Sequence, residues 1–200
     1  MAKKLSRYLA LCCSCSFLIG LITVPLRAVD PKEVYTGTVV AFGGVRTRGG
    51  TSSATFTLKI NGYTSDEDAQ RFLTILAEEK QAGLLKALSN ENLGTFAIGG
   101  QVGRQVKVAR VAEVNGQRRI VAVFERWLLM AEVRGGYRSQ DYPFGYIELF
   151  IGPDGKGEGT YIGAAKITWK SDENTGKKTV EIENFGTYPA KMMGVMRRNK

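Results

Sequence analysis

The run "QVKVARVAEVNGQRRIVAVFER", positions 105–126, constrains the fold more than any other part of the chain. Asn115-Gly116 lies between two stretches rich in Val and Ala, and an Asn-Gly pair in that setting marks a two-residue hairpin turn. Counting outward from the turn sets Glu113 opposite Arg118, Val111 opposite Ile120, Ala109 opposite Ala122 and Val108 opposite Val123. Paired residues share a face of the sheet. One face therefore carries Ala109, Val111, Ile120, Ala122 and Phe124, and the other carries Val106, Val108, Ala112, Val121 and Val123. Both faces are apolar, so the hairpin needs a covering layer on each side.

One such layer is written at positions 64–90, "TSDEDAQRFLTILAEEKQAGLLKALSN". Ala69, Phe72, Leu73 and Leu76 recur at helical spacing. Ser65 suits the N-cap with Asp68 three residues on, and Asp66, Glu67 and Asp68 suit the positive end of a helix. The pattern predicts an amphipathic helix over about 66–88, running to Gln81 and bent at Gly83 before "LLKAL".

The rest of the chain reads as short strands. "EVYTGTVVAFGG" is rich in Val and Thr, and "ATFTLKINGY" alternates, with Phe56, Leu58 and Ile60 on one face. "WLLMAEV" (127–133) is a further apolar segment. "FGYIELFIGPDGKGEGTYIGAAKITW" is two strands joined by Pro-Asp-Gly turn chemistry, with Ile147, Leu149 and Ile151 sharing one face and Tyr161, Ala165, Ile167 and Trp169 another. "KSDENTGKKTVEIENF" is a second hairpin and "YPAKMMGVM" the last strand. The expected class is mostly β (α+β): an antiparallel barrel or near-closed sandwich of about ten strands, with one inserted helix, in a single domain over 29–200. Closure protects sheet edges from pairing with other chains.

Positions 1–28 place Lys3, Lys4 and Arg7 ahead of an apolar run, then Pro25 and Ala28, the pattern of a secretory signal peptide. That points to a periplasmic or extracellular protein, attached to a membrane only if the segment stays uncleaved as an anchor. Cys12, Cys13 and Cys15 all fall inside this segment, so the remainder carries no thiol or disulfide. Without Lys3, Lys4, Arg7 and Arg27 the 28 basic residues fall to 24 against 19 acidic, a balance of +5. This modest, scattered excess lacks the basic stripe with interleaved aromatics that nucleic-acid binding requires.

The sequence contains no histidine. With no cysteine beyond the leader either, histidine- and thiol-based nucleophilic arrangements and the usual zinc and copper ligands are excluded, and no cofactor is indicated. "GPDGKGEG" lacks the ending of a phosphate-binding loop and the acidic spacing of a calcium loop, so its glycines serve turns. Glu181 and Glu183 share one strand face and read as a solvated pair. A carboxylate enzyme would need Glu125, Glu132, Asp141 or Glu148 to converge with a second titratable group.

The richest recognition signal is "RGGYRSQDYPFGY", positions 134–146. Here Arg134, Tyr137, Arg138, Asp141, Tyr142, Phe144 and Tyr146 combine aromatic contact area with cations suited to an anionic group. They also fit an ordered connection in which Asp141 bonds Arg134 or Arg138. Arg110 falls opposite Val121 on the Val-rich hairpin face. It reads either as a rim arginine with its stem over apolar surface or as an inward cation for a carboxylate or phosphate.

At "DYPFGYIELFIGPDGKGEG" and "VEIENFGTYPAKMMGV" the chain resembles a group of uncharacterised exported bacterial proteins. The resemblance implies export and carries no catalytic or binding residue. The leading expectation is an exported, non-enzymatic β module that holds an apolar or amphipathic small molecule in its interior. The alternative is an envelope or secreted module with a solid core that contacts another macromolecule through its loops.

Overall fold

The computed structural model describes residues 33–42, 50–126, 134–171, 178–186 and 188–198. The proposed leader at 1–28 and the apolar segment at 127–133 lie outside these residues. Among the described residues nine strands and one α-helix follow in the order β1 (Glu33–Phe42), β2 (Thr51–Ile60), α1 (Asp66–Leu88), β3 (Gly94–Ile98), β4 (Arg104–Val114), β5 (Gln117–Glu125), β6 (Phe144–Ile151), β7 (Lys156–Ser171), β8 (Lys178–Asn184) and β9 (Ala190–Arg198), with a short 3-10 turn at Arg138–Asp141 before β6. Every pairing is antiparallel. The order β6-β5-β4-β3-β2-β1-β9-β7 returns to β6, which closes eight strands into a barrel.

The ninth strand, β8, extends one wall beyond the barrel. Ala165 pairs with Phe144 of β6 on one edge and with Asn184 of β8 on the other. β8 therefore runs along the edge of β7 that β9 occupies further down, where Tyr161 meets Ala190. β8 and the outer half of β7 form a two-stranded ribbon, and α1 packs against β7.

The β4–β5 hairpin has the expected turn, with Asn115 and Gly116 at φ 52° and 74°. Its register matches the sequence reading from Val108 to Glu113. A bulge at Lys107 shifts Val106 opposite Phe124, so Val106 turns into the barrel rather than lying beside Val108. A second bulge, near Gly163, does the same for β7: Tyr161 faces the barrel interior, whereas Ala165 and Ile167 face the helix side. The simple alternation expected for Tyr161 to Trp169 fails at that point.

Two apolar clusters result. The barrel interior is filled by side chains: Tyr35, Leu58, Val106, Ala109, Ile120, Ala122, Ile147, Leu149, Met192 and Val195 are 0% exposed. Phe96 lies at the centre of an aromatic group, with ring centroids 5.1 Å from Phe124 and 5.4 Å from Tyr161. Gly145 makes room for this packing, because a Cβ there would sit 2.2 Å from the Phe124 ring. The second cluster lies outside the barrel, where Phe72, Leu76, Leu84 and Leu88 of α1 meet Val123, Phe144 and Tyr146 and the ribbon residues Ala165 and Ile167.

α1 begins as its sequence requires, with Ser65 Oγ accepting from the Asp68 amide at 3.0 Å. It breaks at Lys80 (φ 60°, ψ −160°), not at Gly83. Gly83 is nonetheless needed, since a Cβ there would lie 2.2 Å from Glu79 Cβ. Gln81 uses the break to bridge two elements: it donates to the Asp141 carbonyl at 2.9 Å and accepts from the Ile167 amide at 3.0 Å. The Lys107 bulge aims its ammonium at the other end of the helix, onto the Ser89 and Glu91 carbonyls at 2.7 and 2.8 Å. A cation there suits the negative end of the helix.

Candidate functional site

The apolar layer between α1 and the barrel is not completely filled. A groove of about 470 Å³ runs between the helix (Phe72, Leu73, Leu76, Leu84, Leu88), the outer barrel wall (Val108, Val121, Val123, Tyr146) and the ribbon (Ile167, Val180, Ile182). Its size and apolar walls with few polar groups match the general form of small-molecule sites, which span about 300–1,000 Å³. Each wall follows from the sequence: α1 contributes its heptad-like stripe and β4–β5 its second apolar face.

Asp66, Gln70, Arg110 and Arg119 supply the polar part of the lining. Arg110 Nη2 pairs with Asp66 Oδ1 at 2.6 Å, and its Nη1 donates to the Thr64 carbonyl at 2.9 Å. Arg119 Nε meets Glu148 Oε1 at 2.6 Å. Burial between these groups and the helix pushes the Tyr146 hydroxyl up to about 12, with the Glu148 charge adding to the effect. Tyr146 is therefore a neutral hydrogen-bonding group across the physiological range.

Arg110 does not enter the barrel. It follows Ala109, which is sealed inside, so the pleat turns Arg110 outward with Val108 and Val121. Its head lies at the rim of the outer groove, and only the placement inside the barrel is corrected.

The 134–146 segment divides into two parts. Arg134, Tyr137, Arg138 and Asp141 are exposed, whereas Tyr142, Phe144 and Tyr146 are buried. Asp141 pairs with neither Arg134 nor Arg138 among the described residues. Instead Arg126 holds the segment, its Nε donating to the Tyr142 carbonyl and its Nη2 to the Ser139 carbonyl, both at 2.7 Å. Tyr142 donates its hydroxyl to Glu183, a bond that raises the phenol's pKa, and sets its ring edge-on to Phe185 at 5.1 Å. Phe144 packs under α1. Of the eight residues singled out in the sequence, Arg110 and Tyr146 meet in the groove, and the others do not line it.

Sequence reasoning missed Arg119, although the hairpin register places it opposite Ala112, on the same face as Arg110 and Val121. It also missed a polar cluster at one end of the barrel. The Glu33 carboxylate accepts from Tyr35 at 2.7 Å, Tyr63 at 2.6 Å, Arg118 at 3.1 Å and Arg197 at 2.8 Å. Burial pushes this carboxyl up, but the two phenols and the Arg118 charge outweigh burial and hold it below the usual value. All four donors converge on one acid, so the cluster reads as a structural plug.

Among the described residues no group of three or more acids, histidines or cysteines is placed to hold a metal. No described helix is long and apolar enough to cross a membrane. No protein-family model, curated protein or solved structure matches the chain.

Proposed function

We propose that the chain is an exported, non-enzymatic β-barrel module that binds an apolar or amphipathic small molecule in the groove between α1 and the outer barrel wall. The observation that carries this reading is the coexistence of a filled barrel interior with an unfilled apolar groove of about 470 Å³. A ligand inside the barrel would have to displace side chains that are already fully buried against one another, whereas the groove offers apolar walls without such rearrangement. The leader pattern and the resemblance to exported proteins support the location.

The test uses N-phenyl-1-naphthylamine, an uncharged fluorophore that brightens in apolar sites. Wild-type protein should bind it saturably. Val121→Trp, which places a large ring in the groove at a half-buried position, should lose that binding while melting cooperatively near the wild-type temperature. Absence of binding to wild type, or equal binding to a folded Val121→Trp, would overturn the groove reading.

A further inference from the structure

The polar edge of the groove says more about the ligand than its walls do. Arg110 and Arg119 lie on adjacent strands, diagonal to one another across Val121, a geometry that sets their backbones about 7–8 Å apart. The two arginines also flank a smaller depression of about 240 Å³, whose remaining lining is Val111, Ala112 and Val121. This depression shares Arg110, Arg119 and Val121 with the apolar groove, and no carboxylate lines it. An apolar channel thus adjoins a pocket lined by two arginines, Arg110 held by Asp66 and the Thr64 carbonyl and Arg119 held through its Nε by Glu148.

Resting on the groove reading, we infer that the ligand is a single-chain amphiphile with an anionic head, its chain in the groove and its carboxylate between Arg110 and Arg119. The groove volume is near the lower end of the usual range for small-molecule sites, which favours one chain over the two of a membrane phospholipid. The guanidinium fork is suited to a carboxylate. Arg110 is already aimed, because the Thr64 carbonyl holds one of its nitrogens. Its present partner is a weak competitor: Asp66 is 85% exposed, and an ion pair so exposed contributes little. A ligand carboxylate entering from the groove takes the place of Asp66, which turns to water without leaving a buried charge behind, while Arg119 keeps Glu148 on its Nε.

The experiment compares decanoate with decanol, which share a chain and differ in head charge, by isothermal titration at neutral pH. Decanoate should bind about tenfold more tightly, a difference of about 1.4 kcal/mol. Its advantage should shrink as salt is raised. Arg110→Gln/Arg119→Gln should bring the two affinities together. Asp66→Asn, a change at an exposed position, should tighten decanoate severalfold relative to decanol, which keeps the inference testable if the double variant does not fold. Equal binding of the two compounds to wild type would overturn the anionic-head assignment while leaving the groove reading intact. Binding of neither would overturn both. Retention on phosphatidylglycerol vesicles without a preference for free decanoate would place the recognised group in a membrane surface and overturn the single-chain assignment.

Discussion

Glu33 shows how far a single residue can organise a barrel end while remaining invisible in the sequence. Its partners Arg118 and Arg197 lie 85 and 164 positions away, and only closure of the barrel brings β1, β5 and β9 to one rim. Nothing local marks Glu33, whereas Arg119 could be placed by register because a tight turn fixes which residues face each other. Its depressed pKa sets the sign of the pH effect. A carboxyl that ionises more readily folded than unfolded contributes stability above its unfolded value, near 4.5, and loses that contribution as pH falls through the folded value. Glu33→Gln should therefore lower stability by about 1–3 kcal/mol at neutral pH, by weakening charged hydrogen bonds in a buried site. It should also flatten the acid limb of a urea-melt series below about pH 4.5; an unchanged limb would remove Glu33 from that role. Lys107 is a second test at this scale. Its ammonium serves the Ser89 and Glu91 carbonyls from a residue only 7% exposed. Lys107→Met should cost about 1–3 kcal/mol in chemical denaturation because those carbonyls lose a charged donor.

At the scale of elements, the helix was legible and its break was misplaced. Periodicity and capping residues fix the start of α1 at Asp66, since those signals act within one turn. The break falls at Lys80 because Gln81 is drawn to two distant partners, the Asp141 carbonyl and the Ile167 amide, and tertiary contacts override local preference there. Ile167 lies beyond the end of β6 on that edge of β7, so the Gln81 side chain completes what the strand no longer covers. Gln81→Ala should accelerate hydrogen exchange at the Ile167 amide by about tenfold or more, since loss of a hydrogen bond worth about 1.4 kcal/mol has that effect. Unchanged protection would show that the ribbon is held otherwise. The bulges at Lys107 and Gly163 were equally illegible, because an extra residue in one strand is defined only by its partner. The loop at 134–146 carried a strong compositional signal, yet its buried aromatic residues pack against α1 and β8. Aromatic-rich composition alone does not distinguish packing from recognition.

For the whole molecule, the doubly apolar hairpin proved the most informative feature. It requires two covering layers, and the structure supplies the barrel interior on one side and α1 on the other. The expectation of an antiparallel barrel with one inserted helix follows from that requirement together with the run of short strands. What the sequence does not reveal is where space remains, because volume depends on how side chains from six elements fit together. The interior fills around Phe96, Phe124 and Tyr161, and the unfilled volume lies outside the wall, under the helix. The most direct measurement is a methyl-labelled NMR titration of the folded protein with decanoate. Methyls of Leu76, Val121, Val123 and Ile182 should shift saturably, while those of Leu58, Ile120 and Leu149 inside the barrel stay in place. Movement of the interior set with the groove set still, or no saturable shift in either, would contradict a binding site between helix and barrel.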